Sequence, residues 1–105
     1  MDQAFNAGQL IDLHDVGSAA EPKPKLLVST ASMNVLRLVL PAGKVIPEHK
    51  AAKEITVQCL IGEVDFITLG ETVKMTAGTM LYLQPGQPHS LVSISDAIVL
   101  VTKAN

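Results

Sequence analysis

Two histidines stand at comparable places in this chain. His49 closes the run Pro41-Ala42-Gly43-Lys44-Val45-Ile46-Pro47-Glu48-His49, and His89 follows Gly78 and the loop Gln84-Pro85-Gly86-Gln87-Pro88. Each segment joins a glycine turn, a strand and an imidazole at a strand end. A neutral imidazole carries one N–H and one lone pair, so a converging pair can orient a polar ligand or donate to a metal, while either ring alone can be a satisfied strand-end histidine. His14 lies outside both segments and reads as an exposed edge residue. Arg37 falls between Val35 and Val39 on one strand face. Burying it unpaired is costly, so it is either exposed or held as an ion pair or an anion clamp. Tyr82 either directs its hydroxyl at a ligand or is an ordinary half-buried strand tyrosine. Cys59 has no activating base near it in sequence and reads as a small core residue.

The elements that must position these groups are strands. Between Leu26 and the end no stretch sustains an apolar period of 3.6 residues, and valine, isoleucine and threonine are abundant. Alternation and turn residues predict strands over 26–30, 33–40, 45–49, 55–61, 64–69, 71–75, 80–83, 91–94 and 97–102, with a tight hairpin at Gly70. In the second, Leu36, Leu38 and Leu40 share one face and Val35, Arg37 and Val39 the other. In the fourth, Ile55, Val57 and Cys59 form the more apolar face, expected to meet Leu81 or its neighbours and Val99 in the interior. Short strands at this spacing imply an all-β sandwich or barrel. Ahead of them, 4–10 suits a short helix and 10–13 an edge strand, and Glu21, Pro22, Lys23, Pro24 and Lys25 make an extended connector. The division is therefore an N-terminal segment and linker, 1–25, followed by one β-domain, 26–105.

Composition narrows the function. With 105 residues the chain builds one domain with a modest core. Charged residues are 17% and the net charge is -2, which leaves no basic field for a phosphate backbone and makes nucleic acid an unsuitable partner. The aliphatic runs are too often interrupted to span a membrane. The start carries acids where a secretory leader needs a basic end and an apolar stretch, and a lone cysteine forms no internal disulfide, so a cytoplasmic location is expected.

The two glycine–histidine segments together resemble the paired motifs of the cupin superfamily, small jelly-roll β-barrels. Gly43 and His49 match the opening of the first motif, and Gly62 stands at its last glycine; the second-histidine position is Ala51 and the glutamate position is Ile55. In the second motif Gly78, Gly86 and His89 keep their spacing, the proline position is Gln84 with Pro85 beside it, and the asparagine position is Ser93. The resemblance runs over 33–102. It implies a double-stranded β-helix of two antiparallel sheets, with His49 and His89 converging on one cavity from different strands. A metal cupin holds divalent manganese, iron, nickel or zinc with imidazoles and a carboxylate. Here His49 and His89 supply two donors, and a third would have to come from Glu54 or Gln58, whose strand parity points them outward unless a bulge intervenes.

The resulting expectation is a small cupin-like protein that binds a small molecule in the barrel mouth, with His49, His89, Arg37 and Tyr82 as ligand-contacting candidates. The alternative is a metal-dependent enzyme of dioxygenase or isomerase type built on His49, His89 and the recruited third ligand. Small cupins commonly pair, and 33–40 and 91–100 carry few charges to guard a strand edge, so a homodimer is expected, with the N-terminal segment available as an exchanged edge strand.

Overall fold

Alternation through Ile55–Ile61 dictates that Ile55, Val57 and Cys59 face the same way. In the computed structural model, which describes residues 5–15 and 24–105, all three are buried. The strands are β1 Lys25–Ser29, β2 Met33–Leu40, β3 Val45–His49, β4 Ile55–Ile61, β5 Glu63–Thr68, β6 Glu71–Thr76, β7 Thr79–Leu83, β8 His89–Ser93 and β9 Ala97–Ala104. They form two antiparallel sheets, ordered β1-β2-β9-β4-β7 and β3-β8-β5-β6. The all-β jelly roll read from the sequence is the fold observed.

The two inner faces make the core. Leu40, Ile55, Val57, Cys59, Leu83, Ala97 and Val99 from the larger sheet meet Val64, Phe66, Met75 and Leu91 from the smaller one. Leu38, Leu81 and Val101 pack against them. Burial of each such aliphatic side chain stabilises the fold by about 1.5–3 kcal/mol. The pairing of Leu38 with Val99 and of Leu40 with Ala97 sets the register of β2 on β9, and the leucine face of β2 turns inward as its alternation requires. Val99, expected inside, has no exposed surface, and Leu83 rather than Leu81 is the fully buried residue of β7.

Turns lock the sheets together. Gly62, between β4 and β5, has φ +83, and a Cβ there would collide with the Asp96 carbonyl oxygen and lie 2.8 Å from the Ala97 Cα. The close approach and the positive φ both demand glycine. The Asp96 carboxylate in turn accepts from the Ala42 amide at 2.9 Å, joining the β2–β3 turn to the β8–β9 turn.

Two local expectations fail. Residues 5–15 contain turns and neither helix nor strand, so within this chain 10–13 adds no edge strand. This segment instead meets the outer face of the larger sheet, where Arg37 Nη1 donates to the Asp12 and Leu13 carbonyls at 3.4 and 3.5 Å. The second is β8, which begins at His89 rather than at 91, because the proline-rich loop ends as soon as Pro88 is passed. Glu21, Pro22 and Lys23 of the connector lie outside the described residues.

Candidate functional site

His89 and His49 are placed by different devices. His89 starts β8, where even spacing puts His89, Leu91 and Ser93 on the buried inner face. The loop before it is tied down: Gly86 N–H donates to Ala51 O at 2.8 Å, and Gln87 Nε2 to Thr68 Oγ1 at 2.9 Å. Thr68 Oγ1 then donates to Pro88 O at 2.8 Å. On β3, simple alternation would put His49 on the face opposite to Ile46. The β3–β8 register, however, pairs Ile46 with Leu91 and His49 with His89, so three steps on β3 match two on β8. This bulge at Pro47 and Glu48 returns His49 to the inner face.

The rings meet edge to face, with centroids 4.2 Å apart and planes at 61°. His89 also stacks on Phe66 at 5.6 Å. His89 is 4% exposed, whereas His49 is open to solvent at the rim. In each ring Nδ1 lies 2.9 Å from a backbone carbonyl two residues earlier, Pro47 O for His49 and Gln87 O for His89. A carbonyl only accepts, so Nδ1 carries the proton and Nε2 of the neutral ring keeps its lone pair. Burial lowers the His89 pKa below the usual imidazole value, partly opposed by the Gln87 carbonyl and reinforced by His49 and Lys103 nearby. His89 is therefore a neutral acceptor near pH 7.

The two rings border a cavity of about 380 Å³. Its walls are Leu36, Leu38, Ile55, Val57, Leu91 and Val101, and its polar side chains among the described residues are His49, His89, Lys44, Lys50 and Lys103. Lys103 was not anticipated. Its signal was available, since Val99, Val101 and Lys103 alternate onto the inner face of β9 and Lys103 pairs with Ile55 and Asn34.

Arg37 and Tyr82 are not brought to this cavity. Arg37 is 2% exposed on the opposite face of β2, against the N-terminal segment, as the parity of Val35, Arg37 and Val39 requires. Tyr82 pairs with Thr56 on the outer face and is 57% exposed. Its hydroxyl donates to Glu54 Oε2 at 2.7 Å, which occupies that carboxylate outside the barrel. Gln58 has the parity of Thr56 and pairs with Met80 and Leu100, so no register slip turns it inward. Cys59 is buried, and desolvation raises its thiol pKa, consistent with a core role.

The donor set does not fit a catalytic transition metal of the kind held by related barrels. Ala51 and Ile55, at the vacant ligand positions, do line the cavity next to the two histidines, but as hydrocarbon. Among the described residues no three histidine, cysteine or carboxylate groups cluster around a shared point. Two imidazoles leave most of a metal's coordination to water.

Comparison with known proteins agrees with the geometry. The chain belongs to the cupin family: the model described as Cupin domain matches residues 36–103. A conserved protein of unknown function from Streptococcus pyogenes superposes with a TM-score of 0.83 at 18% identity, covering 100% of this chain and 96% of that one. A cupin superfamily protein from Desulfitobacterium hafniense gives 0.82 at 12% identity, over 95% and 94% of the two chains. The DMSP lyase DddQ from Ruegeria pomeroyi gives 0.67 at 23% identity, over 72% of this chain and 40% of that one. At such identities the likeness concerns the fold. No curated protein matches the sequence. No helix among the described residues is long and apolar enough to cross a membrane.

Proposed function

We propose that this cupin binds a small molecule in the barrel cavity, with the Nε2 atoms of His49 and His89 as polar contacts and the leucine, isoleucine and valine walls as the apolar surround. The observation that carries this reading is the convergence of both rings, each with Nδ1 engaged by backbone, on one apolar cavity. Apolar concavities with a few convergent polar groups are where small ligands gain both burial and orientation. The fold itself hosts many activities and does not choose among them.

Binding is tested by a ligand-observed NMR screen of small polar and amphipathic compounds. Hits are expected to shift the ring signals of His49 and His89 and to be lost in Ala51→Trp, which fills the cavity. Hits that leave both rings unmoved would overturn the proposal. Metal analysis of protein purified without added metal or a histidine tag tests the enzyme alternative. One equivalent of a transition metal, absent from His49→Ala, would replace the binder reading with that one.

A further inference from the structure

Every charged side chain that lines the cavity among the described residues is cationic: Lys44 and Lys50 at the exposed rim, and Lys103 on the inner face of β9. The acids near it in sequence are directed elsewhere. Glu54 is engaged by Tyr82 outside the barrel, Glu48 is exposed in the β3 bulge, and Glu63 pairs with Lys74 at 3.8 Å on the smaller sheet. Among the described residues, the acids of a chain of net charge -2 are thus kept off this surface. Lys103 is the most telling of the three. It occupies a position where alternation delivers a side chain to the interior, half-buried beside Ile55, and its charge is felt by His89. An ammonium at the cavity wall, with no counter-ion among the described residues, offers an anionic ligand a charge-assisted contact.

From these placements we infer that the ligand is a small monocarboxylic acid with an apolar body, its carboxylate at Lys103 and its body along Leu36, Leu38, Ile55, Val57 and Val101. The inference rests on the proposed binding role of the cavity and adds the ligand class. A monocarboxylate suits the site better than a phosphate. One inward ammonium balances a single charge, no arginine fork lines the cavity, and the flanking imidazoles offer lone pairs that repel a second negative charge. A hydroxyl on the ligand would find an acceptor in Nε2 of His89.

Calorimetric titration of the intact protein with octanoate, octanamide and octylammonium tests this, since the three share one apolar chain and differ in head-group charge. Octanoate is expected to bind about tenfold or more tighter than octanamide, as a charge-assisted contact predicts. That margin is expected to vanish in Lys103→Met and to persist in Lys103→Arg. The wild-type comparison stands even if Lys103→Met fails to fold. If octanamide or octylammonium binds as well as octanoate, the carboxylate preference is overturned while the cavity remains a binding site. If none of the three binds, the inference fails together with the cavity reading for amphipathic ligands.

Discussion

At the residue scale, His89 is the group whose environment departs furthest from water among the titratable side chains of the cavity. Its pKa is lowered in the fold, chiefly by burial. The unfolded chain therefore binds a proton that the folded chain resists, and the sign follows. Above the ordinary imidazole value of 6.5 the effect is silent, and as pH falls below it folding stability declines toward the lowered folded pKa. Chemical denaturation at pH 7.5 and 5 is expected to show this loss, and His89→Phe is expected to reduce it. The vacant ligand positions invite the reverse experiment. Ala51→His combined with Ile55→Glu would give three imidazoles and a carboxylate facing one cavity. Tight manganese or nickel binding is expected. Because residue 55 is 4% exposed, the metal-free variant is expected to lose about 2–5 kcal/mol of stability, recovered on metal addition. Equal metal affinity in the unmodified protein would show that the register assigned to Ala51 and Ile55 is wrong.

At the scale of elements, the site depends on a bulge and two anchored turns. The β3 bulge determines that His49 meets His89 at the solvent-open rim of the inner face, and the 84–88 loop delivers His89 through its bonds to Ala51 and Thr68. Gly62 fixes how β4 leaves the larger sheet to enter the smaller one. Gly62→Ala places a methyl group against the Asp96 carbonyl at a positive φ, and is expected to cost about 2–4 kcal/mol in thermal or denaturant unfolding. The same change at Gly43, also positive in φ but with nothing within 4 Å of the added Cβ, is expected to cost only about 1 kcal/mol.

At the scale of the whole molecule, the N-terminal segment and the free sheet edges decide what the barrel presents outward. Leu27, Ile98, Leu100 and Arg37 are buried apart from the main core. Arg37 there donates to backbone carbonyls of residues 12 and 13. Deleting residues 1–15 removes those acceptors from a buried guanidinium and is expected to destabilise the fold by about 1–3 kcal/mol, measurable by denaturant titration. The lightly charged segments 33–40 and 91–100 form β2 and parts of β8 and β9, which are interior to their sheets and not edges; among the described residues the edges are β1, β7, β3 and β6. Of these β7 alone has no charged residue, and it exposes Met80 and Tyr82. We propose that the chain forms a homodimer and that the two copies meet along β7. Sedimentation at micromolar concentration is expected to give twice the chain mass, and Met80→Lys to give the monomer.

What sequence determined by itself was everything that depends on period and local chemistry. Alternation identified the nine strands of the described residues to within a few residues, the inner faces of β2 and β4, and the outward parity of Glu54 and Gln58. The glycine and histidine spacings identified the family. Such features are local, because a strand's two faces follow from its pleat and a turn's glycine from its φ. Tertiary structure decided the rest. Whether Arg37 clamps a ligand or bonds the N-terminal segment, and whether Tyr82 faces the cavity or Glu54, depends on which face of the sheet becomes the inside. The bulge that turns His49 inward is a mismatch between two strands, visible only when both are paired. Lys103 joins the site because β9 lies between β2 and β4, so the end of the chain is packed into the barrel wall opposite residues far from it in sequence. Strand order is set by non-local pairing, and no single segment encodes which strand will lie beside it.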